Sequence, residues 1–218
     1  DGQSSRGLGD VYKRQTLMAA KEGGADWVVL CDTNGGTMPH EAGKITEIVM
    51  REIGIPVGIH THNDTGVAVA NALASVNSGA TQVQGTVNGY GERVGNCNLT
   101  TVIPNLQLKM DRPVIEDVSR LTHLAHFVDD LANCSHNIRA PYVGATAFAH
   151  KGGMHVNAVQ KVAHSFEHIE PKTVGNRQRI LVSELSGQSN VLMKAEELGL
   201  PVEKGSPEAM AILQDLKE

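Results

Sequence analysis

Val57 to Ala70 read VGIHTHNDTGVAVA, a run that sets two histidines, an asparagine and an aspartate side by side in His60-Thr61-His62-Asn63-Asp64. On a strand, successive side chains face opposite sides, so His60 and His62 share one face and Thr61 takes the other. Two imidazoles on one face suit a shared cation. Imidazole favours zinc, iron or copper, whereas oxygen ligands favour magnesium or manganese, so a mixed set leaves the ion open. The competing reading is a pair of hydrogen-bonded polar residues at a strand end with no chemistry to do. Asn63 and Asp64 are turn and N-cap types, and Gly66, Ala68 and Ala70 let a helix start close behind the strand.

Working outward, the same strand-then-helix unit recurs on both sides. Upstream, a short helix (TLMAAKEG, from Thr16) stops at Gly23-Gly24, and the apolar run Asp26–Cys31 (DWVVLC) reads as a strand covered on both faces. It ends in Asp32-Thr33-Asn34-Gly35-Gly36. A helix is expected from Pro39 to Glu52, with Ile45, Ile48 and Val49 on one stripe and Gly54-Ile55-Pro56 as its stop. Downstream of the strand Val57–His62, a helix is expected from Thr65 to Asn77. A third strand follows from Thr81 to Val87, then the loop NGYGERVGN (Asn88–Asn96) and a helix over Asn98–Met110 that Pro104 should kink. Strands alternating with helices of this length imply a parallel sheet. In all three units the unusual chemistry lies at the C-terminal end of the strand, which both a (β/α)₈ barrel and an open doubly wound sheet use for binding.

Composition narrows the class. Aromatics are only 3% against 23 glycines among 218 residues, which suits βα units with tight turns rather than an aromatic-rich sandwich. Net charge is −5 with no basic run, so no nucleic acid and no anionic membrane is indicated as a partner. No apolar stretch approaches the roughly 18 residues of a membrane span. Cys31, Cys97 and Cys134 are odd in number and widely spaced, and they read as buried, inert thiols of a cytoplasmic protein. Beyond Pro113, apolar residues from Val114 to Ala132 step by three and four and predict an amphipathic helix to about Asn133. His123 and His126 on it read as surface or core filler. Further helix is expected in Pro141–Val159 and around Val191–Leu198.

The run Val57–Ala70 resembles the second signature of the isopropylmalate, homocitrate and citramalate synthases, and Gly89–Asn96 resembles the Gly-x-Gly-Glu-Arg-x-Gly-Asn block behind that family's eighth strand. The resemblance implies an α/β fold: the C-terminal part, the last three βα units, of a TIM (β/α)₈ barrel followed by a mostly helical subdomain. The expected domains are 1–15 as a non-native leader, 16–112 as the partial barrel and 113–218 as the helical part, with five strands preceding Thr16. The leader reading rests on Ser5–Gln15 (SRGLGDVYKRQ), which resembles a translated sequencing-library adapter.

The resemblance also implies roles. His60, His62 and Asn96 become metal ligands for a divalent cation, Mg²⁺ or Mn²⁺ and less expectedly Zn²⁺. Thr33 becomes the donor to the carboxylate of a 2-keto acid. His155, in HKGGMH, becomes a catalytic residue reaching a neighbouring subunit's active site, which implies a homodimer; His150 in the same block is the structural one. Asp32 is expected to cap a turn, and Glu92 with Arg93 to form an ion pair. The implied reaction joins acetyl-CoA to a 2-keto acid, in branched-chain amino-acid biosynthesis. KGGMH, IEPKTVGN and VSELSGQSN resemble the citramalate branch, so pyruvate is the favoured acid, with the isopropylmalate and homocitrate branches as alternatives. The family's metal-binding aspartate and its proton-transfer glutamate have no matching segment, and Arg177-Gln178 stand where the isopropylmalate branch has a tyrosine. The chain alone is therefore expected to bind metal weakly and not to turn over. A lyase of 3-hydroxy-3-methylglutaryl-CoA shares the His-x-His but needs a cysteine where Gly85-Thr86-Val87 stand.

Overall fold

The computed structural model describes residues 14–150, 167–181 and 187–216. The backbone falls into two compact units, Asp1–Ile115 and Glu116–Glu218.

In the first unit, helix α1 (14–22) leads into strand β1 (Val28–Asp32), helix α2 (Pro39–Ile53), strand β2 (Val57–Thr61), helix α3 (Ala68–Asn77), strand β3 (Gln82–Gln84) and helix α4 (Leu99–Lys109). The strands pair in parallel in the order β1-β2-β3, as the alternation of strands and helices requires. Register aligns Val28 with Val57, Leu30 with Ile59 and Asp32 with Thr61, while Cys31, His60 and Gln84 form a row on the opposite face. Helices cover the first face: Ile59 packs with Ala68, Ala72, Cys97, Val102 and Leu106, and Val28 and Val57 pack with Ile53. Burying a side chain such as Ile59 contributes about 1.5–3 kcal/mol. The second face carries Val29, Gly58 and Gln82 in one row and Cys31, His60 and Gln84 in the next.

Small residues set the helix spacing. A Cβ on Gly43 of α2 would come within 3.0 Å of Ser78 Oγ and 3.5 Å of the Ala74 carbonyl, so glycine lets α2 lie against α3. Gly54 ends α2 in the left-handed region at φ 68°, where glycine carries little strain. Arg14, already within α1, pairs with Glu52 at 2.9 Å.

Several boundaries differ from expectation. Helix α3 begins at Ala68 rather than Thr65, because Gly66 N–H donates to the Asn63 carbonyl in a turn that uses the intervening residues. Asn63 Oδ1 accepts from Ala68 N–H and does the capping, and Asp64 is engaged elsewhere. Strand β3 ends at Gln84, since Gly85 packs against the Cys97 carbonyl and the chain turns through a 3-10 segment at Val87–Gly89. Pro104 sits inside α4 without ending it.

In the second unit, a 3-10 turn (Val118–Arg120) opens helix α5 (Leu121–Leu131), whose start is delayed from Val114 because Asp117 accepts from Ser119 N–H and caps there. The described part of Pro141–Val159 is not helical: residues 141–148 form turns and Ala149–His150 form strand β4, parallel to β5 (Arg179–Ile180). A 3-10 turn (Pro171–Val174) and helices α6 (Gln188–Glu197) and α7 (Pro207–Asp215) complete it. His150 is buried, with Nε2 2.9 Å from Glu167 Oε1, the structural role expected of it. No helix among the described residues is long and apolar enough to cross a membrane.

Candidate active site

The site is built where three strands end on one rim. His60 is the last but one residue of β2, and His62 follows it on the same face, their ring centroids 5.3 Å apart and tilted by 54°. The loop after β3 folds back over that end. Asn63 N–H donates to the Gly95 carbonyl at 2.9 Å, Cys97 N–H donates to the Thr61 carbonyl at 2.9 Å, and His62 and Asn96 form an isolated antiparallel bridge.

Glycines make this fold-back possible. Gly95 has φ 94°, and a Cβ there would run into the Gly89 carbonyl; Gly91, at φ 154°, would place a Cβ on the Asn96 side-chain amide. Within the loop, Asn96 Nδ2 donates to the Tyr90 carbonyl at 3.0 Å. That bond orients the amide and directs Oδ1 away from Tyr90, as a group behind a ligand fixes the ligand.

Two buried atoms at this point have no hydrogen-bond partner among the described residues: His62 Nδ1 and Asn96 Oδ1. Leaving a buried acceptor or donor unmatched costs on the order of 1–3 kcal/mol, so such atoms at a strand-end rim suit a ligand. A divalent cation fits both atoms chemically, with the imidazole nitrogen and amide oxygen as donors. Among the described residues no three His, Cys, Asp or Glu side chains gather for a metal, so the protein groups available here are two imidazoles and one amide.

The remaining expected residues are placed as follows. Asp32 Oδ2 accepts from Thr37 N–H at 3.2 Å, the turn-capping role. Thr33 is exposed on the rim of a cleft it shares with Cys31, Asn34, Thr37, Asp64 and Arg93. His155 lies outside the described residues. The expected Glu92–Arg93 pair is a weak contact: the groups are 3.9 Å apart, with Glu92 86% exposed. Arg93 instead grips Asp64 with Nε and Nη2, at 2.7 and 2.9 Å, and donates from Nη2 to the Thr33 carbonyl at 2.8 Å. The hydrogen bond from Arg93 holds the Asp64 carboxyl below the usual carboxylate range. Sequence reasoning missed this link, although opposite charges in loops behind neighbouring parallel strands are a signal for it. Cys31 and Cys134 are exposed rather than buried, because Cys31 lies on the face that helices leave open and Cys134 lies beyond the end of α5; Cys97 alone is buried.

Three parallel βα units with a His-x-His and an asparagine gathered at the strand ends define an α/β protein with a rim site. The chain belongs to the HMGL-like family, whose model matches residues 8–128; a second family model, the homocitrate synthase post-HMGL domain-like one, matches residues 142–218. Among curated relatives, the (R)-citramalate synthases of Geobacter sulfurreducens and Aquifex aeolicus are each 52% identical over 95% of this chain, and a probable 2-isopropylmalate synthase of Methanopyrus kandleri is 39% identical over 88% of it. The chain spans about 40% of the length of the citramalate synthases it matches. The HMG-CoA lyase of Bacillus subtilis has the same fold at TM-score 0.51 and 18% identity, covering 60% of this chain and 46% of the lyase. So does the carboxyl transferase domain of Rhizobium etli pyruvate carboxylase, at TM-score 0.51 and 20% identity, covering 56% of this chain and 20% of that one.

Proposed function

We propose that this chain forms part of an acyltransferase that condenses acetyl-CoA with a 2-oxo acid, pyruvate in preference to longer acids. The observation that carries the reading is the pair of unmatched buried atoms, His62 Nδ1 and Asn96 Oδ1, beside His60 on the strand-end rim. His60, His62 and Asn96 would hold a divalent cation, Mg²⁺ or Mn²⁺, which supplies Lewis-acid polarisation of a carbonyl when bound. Thr33, exposed on the rim cleft, donates its hydroxyl to the acid's carboxylate, and Arg93 fixes the Thr33 backbone from behind. His155 is assigned a catalytic role supplied across a homodimer. Preference for pyruvate follows the relatives named (R)-citramalate synthase.

The test is a polypeptide of the relatives' length that carries these residues, assayed for thiol release from acetyl-CoA with pyruvate, 2-oxoisovalerate and 2-oxoglutarate in turn. Turnover fastest with pyruvate is expected. Faster turnover with 2-oxoisovalerate or 2-oxoglutarate moves the protein to the isopropylmalate or homocitrate branch. Cleavage of 3-hydroxy-3-methylglutaryl-CoA without any condensation overturns the reading.

A further inference from the structure

Arg93 stands in the loop behind β3, yet its side chain is bonded to the loops behind the other two strands. Nε and Nη2 take both oxygens of Asp64, which follows β2, and Nη2 also reaches the carbonyl of Thr33, which follows β1. A planar guanidinium can make these bonds at once because its donors form a rigid fork; a lysine ammonium cannot span them. The backbone of Arg93 itself is left-handed, at φ 57°, an uncommon conformation for a residue with a side chain. Around it the same loops are stitched by backbone bonds: Thr65 N–H and Oγ1 both donate to the Gly35 carbonyl, at 3.3 and 2.7 Å, and His62 N–H donates to the Asp32 carbonyl at 3.3 Å. Gly35 is required there, since a Cβ on it would strike Asp64 Oδ2. One side chain therefore closes a ring through Thr33, Asp64 and the loop that carries Asn96.

We infer that Arg93 is a positioning residue that couples the two halves of the site, holding Thr33 in register with His62 and Asn96 so that the 2-oxo acid and the cation bind cooperatively. This rests on the proposed function for the identity of the two ligands, but the mechanical link does not. Arg93 lines the cleft beside Thr33, and its guanidinium donors go to Asp64 and the Thr33 carbonyl. With the guanidinium in place, the carboxylate donor and the cation donors keep one spacing; without it, each half is free to relax on its own.

Two measurements on the chain separate the claims. In hydrogen exchange followed residue by residue, Arg93→Gln is expected to speed exchange at Gly35, His62 and Thr65 by at least about tenfold while Ala72 in α3 keeps its rate. Arg93→Lys, which retains a charge for Asp64 but loses Thr33, is expected to restore protection at Thr65 and not at Gly35. Unchanged exchange at Gly35 in both variants overturns the positioning role, whatever the ligands are. In the second measurement, Mn²⁺ binding is titrated by electron paramagnetic resonance with and without pyruvate. The unaltered chain is expected to bind Mn²⁺ more tightly when pyruvate is present, and Arg93→Gln is expected to bind Mn²⁺ alone unchanged but lose that enhancement. An enhancement kept in Arg93→Gln overturns the coupling. If the unaltered chain binds no Mn²⁺, the ligand assignment falls and the coupling with it, while the exchange result still decides the mechanical link.

Discussion

His62 and Asn96 pair through their backbones in an isolated antiparallel bridge, and each brings to it one buried side-chain atom, Nδ1 and Oδ1, with no partner among the described residues. Asn96→Leu removes an unmatched acceptor along with the amide, so the stability of the metal-free protein should change by no more than about 1 kcal/mol in urea. Mn²⁺ affinity should fall by at least about tenfold in the same variant. Asn96→Asp should tighten Mn²⁺, because a carboxylate is the better ligand for a hard cation. Equal Mn²⁺ affinity in the unaltered, Leu and Asp forms would remove Asn96 from the site.

Two glycines with positive φ give a controlled comparison. Gly54→Ala places a Cβ 3.6 Å from Lys21 Nζ, the end of a flexible side chain, and should cost about 1 kcal/mol from backbone strain alone. Gly95→Ala drives a Cβ into the Gly89 carbonyl and should cost about 3 kcal/mol or open the loop altogether. Urea denaturation reads the difference. Similar losses at the two positions would mean that the fold-back loop yields without cost.

The three cysteines should react unequally. Cys31 and Cys134 are exposed and should be labelled by iodoacetamide in the native protein, while Cys97 is labelled only on unfolding. Burial pushes the Cys97 thiol up to about 11, against a slight opposing effect of its hydrogen bond with Thr61. The acid form is thus favoured in the folded state, and stability is independent of this group below the thiol's ordinary value. As pH rises from about 9 towards 11 the unfolded chain loses the proton first, and up to about 2.7 kcal/mol of stability is lost. Cys97→Ala should flatten that alkaline decline; an unchanged decline would assign it to other groups.

In the second unit, Glu167 Oε1 is shared by His150 Nε2 at 2.9 Å and by Gln178 Nε2 at 2.7 Å, in a buried setting. Glu167→Ala strands both partners and should cost about 2–5 kcal/mol, whereas Glu167→Gln keeps an acceptor and should cost roughly half as much. Calorimetric unfolding of the two variants checks the order. Equal losses would mean that the negative charge, which both variants remove, is what the site requires.

The strands and the rim were legible because their signals are local. Val28 to Cys31 form an unbroken apolar run, and the two-residue spacing of His60 and His62 fixes their common face whatever the rest of the chain does. The apolar pattern extends helices back to Thr65 and Val114, and in both places a side-chain or backbone hydrogen bond to a neighbour delays the start. Arg93 could not be placed from its neighbours in sequence. Glu92 is the obvious partner beside it, but a left-handed backbone turns the guanidinium across the rim to a carboxylate that only the parallel stacking of strands brings near. The exposure of Cys31 likewise depends on which face of β1 the helices cover, a property of the assembled sheet.

The Arg93 bond to Thr33 joins residues 60 positions apart, about twice the separation of Val28 and Val57 where β1 pairs with β2. Contacts of long sequence separation carry a larger loop-closure cost and form late, after local units have condensed. The rim should therefore be the last part of the first unit to order as the chain folds and the first to melt. Its strands and helices stand as a finished platform before the site on top of them exists.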